Sequence, residues 1–191
     1  MRLFAGIDID EPIRQNISRF VDNLRRQAPD VRFVGPETYH ITLKFIGETG
    51  EFDRIREALR SATGPAFDIA FRGTGFFPDA KSPRIFWAGI HAGPQLAGLA
   101  AAVSSALEPL GFEGERGPYR PHLTLARSGS GSPRPRPGDR ANPKFQRIQQ
   151  ALASGEEIDF GTMTAREFFL YESKLSPRGA QYFKRERYEL R

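Results

Sequence analysis

The run His40-Ile41-Thr42-Leu43 returns 82 residues later as His122-Leu123-Thr124-Leu125, and it does not return alone. Gly35-Pro36 reappears as Gly117-Pro118 at the same offset. Ala5-Gly6-Ile7 reappears as Ala88-Gly89-Ile90 at 83, and Phe76-Phe77 as Phe168-Phe169 at 92. The widening falls where the second copy carries a stretch rich in Ser, Gly, Pro and Arg. Four landmarks in one order mark an internal duplication. Two copies are too few for a solenoid, and each is too short to bury both faces of its own strands. The chain is therefore expected to fold as one domain, 1–191, made of two pseudo-symmetric lobes. The approximate repeats are 2–83 and 85–178, with a closing strand at 180–190.

Local patterns fill in that frame. RLFAGIDI, VRFV, HITLKFIG, FDIAFRGTGFF, RIFWAGI and HLTLAR read as strands. Asp10 is placed to cap a helix that carries Ile13, Ile17, Phe20, Val21 and Leu24 on one face. A second helix is expected over 51–62, and a third opens at Pro94 and stops at Gly111. Asn142-Pro143 opens a short fourth helix with Phe145, Ile148 and Leu152 inward. TMTAREFFLYES and AQYFKRERYEL read as a closing hairpin around Pro177-Arg178-Gly179.

The duplicated strands carry the chemistry. A strand sends alternate side chains to opposite faces. In HITLKF this puts His40, Thr42 and Lys44 on one face and Ile41, Leu43 and Phe45 in the core. In HLTLA it puts His122 and Thr124 outward. A pseudo-two-fold axis brings two imidazoles and two hydroxyls together around a groove. Displacement at phosphorus needs one proton removed from the nucleophile and one delivered to the leaving oxygen. Imidazoles titrate near neutrality, so one can start neutral and the other charged. Threonine hydroxyls donate to the non-bridging oxygens, where charge builds. His91, the third histidine, aligns with Asp8 in the other repeat and reads as structural.

Composition removes several alternatives. The chain has no Cys, which excludes disulfides, thiolate metal sites and a Cys nucleophile. With three His in all, and Glu37 and Glu48 forming no convincing ligand set, no metal and no cofactor are expected. The longest apolar run, LAGLAAAV, is far short of the roughly 20 residues a spanning helix needs. The first residues lack a secretory apolar core, and a cytoplasmic protein without membrane contact is expected. Net charge is +5: the segment from Arg116 to Arg147, with eight basic residues against Asp139, carries +7 and the rest of the chain −2. A polyanion such as nucleic acid or phosphate fits that segment, although a charge run is more often a solvated face.

YHITLKFIGE and YRPHLTLAR, together with RLFAGIDI and RIFWAGI, give the chain a resemblance to the 2H phosphoesterase superfamily. It looks most like the bacterial and archaeal RNA 2′,3′-cyclic phosphodiesterase branch, historically called 2′-5′ RNA ligase. The resemblance covers about residues 2–190. It implies an α+β fold, two antiparallel sheets facing a central groove with helices outside. It also implies hydrolysis of a terminal 2′,3′-cyclic phosphate of RNA to a 2′-phosphate. His40 would be the proton donor to the departing 3′ oxygen, His122 the acceptor from water, and Thr42 and Thr124 the phosphate binders. The expected partners are RNA ends of this kind, tRNA fragments among them, or small cyclic nucleotides, bound by a monomer. The rival with the same residues is a 2′-5′ RNA ligase, in which a 5′-hydroxyl replaces water. A rival of another class is an RNA-binding module without turnover, against which the matched acid and base argue.

Residues around the pair complete the expectation. Tyr119 can stack on a base and Arg120 can hold a phosphate, since both precede His122. Lys44 lies about 13 Å from His40 at about 3.3 Å per residue, placed for a neighbouring phosphate. Arg127 differs in parity from His122, so an unbulged strand turns it away from the groove, although the resemblance keeps it as a substrate-binding candidate. Phe76 and Trp87 are candidate base platforms, although aromatic residues on strands more often fill the core. The 128–141 loop is longer than the family needs, and Arg134, Arg136 and Arg140 can meet only RNA far from the end.

Overall fold

The computed structural model describes residues 1–114, 117–128, 143–153, 155, 157–177 and 179–191. Arg116 and the arginines of the 128–141 loop lie outside them. In chain order the elements are β1 (Arg2–Asp8), α1 (Glu11–Gln27), β2 (His40–Glu48), α2 (Phe52–Ala58) and β3 (Phe67–Phe77). Then come β4 (Ile85–Ala92), α3 (Pro94–Leu107), β5 (His122–Arg127), α4 (Pro143–Ala151), β6 (Asp159–Ala165), β7 (Glu167–Ser176) and β8 (Gly179–Glu189). They form two antiparallel four-stranded sheets, ordered β2-β1-β7-β8 and β5-β4-β3-β6. The α+β class with two antiparallel sheets stands. Among the described residues no helix is long and apolar enough to cross a membrane.

The two sheets do not follow the two repeats. β3 leaves the first repeat to pair with β4, and β7 leaves the second to pair with β1. Each repeat thus gives its last landmark strand to the other's sheet. TMTAREFFLYES, expected as one strand, breaks at Arg166. Its first part pairs with β3 and its second with β1. The break is hidden because β7 is apolar on both faces. Phe168 and Leu170 enter the main core, while Phe169 and Tyr171 join Phe4 in a second cluster. The expected hairpin with β8 is present.

The main core is continuous through both sheets. It contains Ile7, Ile41 and Leu43 from one, and Phe71, Phe86, Leu123 and Leu125 from the other. Helix α1 presses Ile13, Ile17, Val21 and Leu24 into it, and α3 adds Leu96, Leu99, Val103 and Leu107. Gly111, at φ 85°, takes the left-handed turn that ends the 3-10 continuation of α3. Asp10 stands at the head of α1, but its side chain makes no capping bond. VRFV is not a full strand. Phe33 bridges Ala126 and Val34 donates to the Leu125 carbonyl, so the segment lies along the outer side of β5.

Both His-x-Thr strands carry a bulge at the same place. Along β2, Gly6 faces Thr42 but Ala5 faces Lys44, which leaves Leu43 as the extra residue. Along β5, Trp87 faces Thr124 but Phe86 faces Ala126, which leaves Leu125 extra. Two consecutive residues then share the buried face, and every later side chain changes sides. Leu43 and Lys44 are both buried, as are Leu125 and Ala126.

Candidate active site

β2 and β5 are outer strands of their sheets and pack against one another, so the two outward faces share one groove. The groove is about 380 Å³ and holds His40, Thr42, His122 and Thr124 on its walls. Gly6 permits the close approach on the first side. A Cβ there would stand 2.9 Å from the Ile41 carbonyl oxygen and 3.6 Å from the His40 ring.

The two imidazoles are oriented in the same way. His40 Nδ1 lies 2.7 Å from the carbonyl oxygen of Thr38, and His122 Nδ1 lies 2.9 Å from that of Arg120. A carbonyl accepts only, so each Nδ1 carries a hydrogen. Each neutral ring therefore has its lone pair on Nε2, and each charged ring has a proton there to give. His40 Nε2 is also 3.0 Å from Thr42 Oγ1. On the other wall Arg127 Nη2 donates to Thr124 Oγ1 at 3.4 Å.

Their surroundings differ. His40 has Phe4 at 4.7 Å and meets Tyr182 edge-on at 5.0 Å, with Tyr171 behind at 6.2 Å. His122 meets Phe77 edge-on at 4.9 Å. Desolvation lowers the His40 pKa to about 4. The Thr38 carbonyl, which favours the cation, opposes this, as does the charge of Asp8, while Arg127 and His122 add to the lowering. Asp8 itself is held below the usual carboxylate range. Burial raises its pKa, and the bonds from Lys184 and Ile9 with the charges of Lys184 and Arg14 overcome that.

The structure brings some of the expected rim residues together and not others. Tyr119 and Arg120 line the groove. The Tyr119 hydroxyl is used to donate to the Thr42 carbonyl at 2.9 Å, tying the two walls. Lys44 is not in the groove, and this corrects the alternation argument. The Leu43 bulge turns it inward, where it is 3% exposed and its Nζ donates to Ser104 Oγ at 3.0 Å and to the Glu113 carbonyl at 2.7 Å. Phe45, expected in the core, takes the vacated side, 49% exposed on the groove. The Leu125 bulge acts likewise on Arg127, which reaches the groove that simple parity denied it. Phe76 packs on Phe86 and Phe145, and Trp87 on Phe77 and over Gly75. His91 Nε2 bonds the Arg72 carbonyl, outside the groove. Phe77, Pro78 and Tyr182 line the groove without having been foreseen. The duplication did offer Phe77 a signal, since Phe76-Phe77 is one of its landmarks.

Comparison with known proteins identifies the family and the fold. The family profile described as LigT like Phosphoesterase matches residues 7–87 and 91–182. A curated RNA 2′,3′-cyclic phosphodiesterase of Archaeoglobus fulgidus is 36% identical over 95% of this chain and 96% of its own length. One from Methanothermobacter thermautotrophicus is 31% identical over 100% and 99%. A solved structure from Thermus thermophilus superposes with a TM-score of 0.77 at 25% identity, covering 99% of this chain and 97% of the other.

Proposed function

The chain belongs to the LigT-like phosphoesterase family, and on that footing we propose that it is an RNA 2′,3′-cyclic phosphodiesterase working by paired imidazoles. The observation that carries the reading is the shared geometry of the pair. Each Nδ1 is bound to the carbonyl two residues earlier, so each ring can offer only Nε2 to a ligand. The substrate is RNA ending in a 2′,3′-cyclic phosphate, or a small cyclic nucleotide. His122 Nε2 takes a proton from water as its oxygen attacks phosphorus. The bond from phosphorus to the 3′ oxygen breaks, and His40 Nε2 gives that oxygen its proton. The product is a 2′-phosphate and a free 3′-hydroxyl. Thr42 and Thr124 donate to the non-bridging oxygens, and Arg127 and Arg120 compensate their charge.

With a pKa of about 4, His40 is neutral in the empty groove at pH 7. A phosphodiester charge about 4 Å away is worth about 4 kcal/mol at an effective dielectric of about 20, or about three pKa units. Substrate binding therefore brings the donor its proton. The same lowered pKa favours a second reading, in which His40 is the base from the start and His122 the acid. One substrate separates the two. With sulfur in place of the 3′ oxygen, the leaving group needs no proton. That substrate should restore turnover to His40→Ala and not to His122→Ala. The opposite rescue assigns the roles the other way, and no turnover of any cyclic phosphate by the unaltered protein removes the function proposed.

A further inference from the structure

We propose that Lys44 is a positioning residue for the opposite half of the site, holding from the buried side of β2 the segment that leads to His122. The inference rests on the reading of His122 as one of the reacting pair. Its Nζ reaches Ser104 on α3 and the carbonyl of Glu113, the residue that begins the run into β5. Tyr119, further along that run, donates to the Thr42 carbonyl. The next residue, Arg120, offers the carbonyl that fixes His122 Nδ1. Glu113 and Tyr119 are thus both tied to β2, by residues 44 and 42 of one strand.

The matching segment before His40 is held by its own turn and by α1 instead. Pro36–Thr38 form a 3-10 turn, with the Thr38 amide and hydroxyl both donating to the Gly35 carbonyl. Tyr39 is buried at 2% exposure, and Arg14 of α1 donates to the Pro36 carbonyl. At the place of Lys44 in the other strand stands Ala126, whose methyl group bonds nothing. Burying an amino group carries a desolvation cost that a methionine of similar length would avoid. The amine gives bonds to Ser104 of α3 and to the Glu113 carbonyl that methionine cannot give.

The test is Lys44→Met in the full chain, read first by imidazole 15N chemical shifts and then by kinetics. In the unaltered protein both neutral rings should be the Nδ1–H tautomer. In Lys44→Met the His122 ring should become a mixture of tautomers while His40, held by its own turn, stays unchanged. Turnover of a 2′,3′-cyclic mononucleotide should fall about 10- to 100-fold in kcat, the scale of a small misplacement of a reacting group. KM should change little, since Lys44 does not touch the groove. Lys44→Gln, which keeps an N–H donor, should recover part of both readouts, and it replaces the methionine variant if that fails to fold. Unchanged His122 tautomer and kcat would overturn the inference. So would an equal disturbance of both rings, which would mean a general loosening. An unaltered protein inert toward cyclic phosphates would remove the function instead, and the tautomer measurement would still decide the role of Lys44.

Discussion

His40 sits between Phe4 and Tyr182, behind a turn that closes on itself, whereas His122 meets Phe77 and follows a segment tied to the other sheet. The two strands share the same His-x-Thr-Leu run, the same bulge and the same carbonyl bond at Nδ1. They have diverged in dielectric and in support. One imidazole is pushed toward neutrality by desolvation and held locally. The other depends on residues from across the groove for its orientation. Beyond the bulges the divergence continues, since Phe45 and Arg127 occupy equivalent positions and present a bare ring and a guanidinium. Duplication supplies two copies of one group, and in the proposed reaction only differences in surroundings allow them to do opposite jobs.

The strongest test of that comparison is to remove each half. His40→Ala and His122→Ala should each lower turnover of a cyclic-ended oligonucleotide by about 100-fold or more. The double variant should be little worse than either, because acid and base act as a unit. Strictly additive losses in free energy would mean that the halves work independently.

Acid stability should distinguish the halves next. Unfolded His40 takes up a proton below about pH 6.5, and the folded ring does so only near its lowered pKa of about 4. The unfolded state therefore binds more protons across that window, and stability falls as pH drops from about 6.5 to about 4 by up to about 3 kcal/mol. Above that window the contribution is constant. Urea denaturation at several pH values should show the loss in the unaltered protein and in His122→Ala, and a smaller one in His40→Asn. An equal slope in all three proteins would place the acid sensitivity elsewhere.

Alternation predicted the outward pairs His40 with Thr42 and His122 with Thr124, because those residues precede the bulges. It failed from residue 44 on. The run Leu43-Lys44-Phe45 satisfies a straight strand and a bulged one equally well, since a lysine stem can lie in either environment. Arg127 was turned the wrong way for the same reason. The exchange of β3 and β7 was equally invisible, because a strand's own pattern does not name its partner. What repetition did reveal was that two copies of one motif had to meet.

A smaller effect should follow at Gly75, under Trp87. The first repeat has Phe4 where the second has Trp87, and a Cβ at Gly75 would come within 2.2 Å of that indole. Gly75→Ala should cost about 1–3 kcal/mol by crowding, measured by thermal unfolding, and should disturb the His122 side before the His40 side. The smallest loss of stability is expected for Tyr119→Phe, which loses the bond to the Thr42 carbonyl. It should cost about 1 kcal/mol and leave KM for a cyclic mononucleotide unchanged if the ring alone meets the ligand. A larger rise in KM would give the hydroxyl a place in binding.

The pairing of β1 with β7 also sets an order of events during synthesis. Arg2 faces Ser173 and Phe4 faces Tyr171, so the first strand made waits for one of the last. Until then it can pair only with β2 and shows an open edge on its other side. Contacts so distant along the chain slow folding. They also expose unpaired strand to aggregation while the ribosome is still at work. A chain cut short before residue 167 would therefore lack not a tail but two of the four strands of its first sheet.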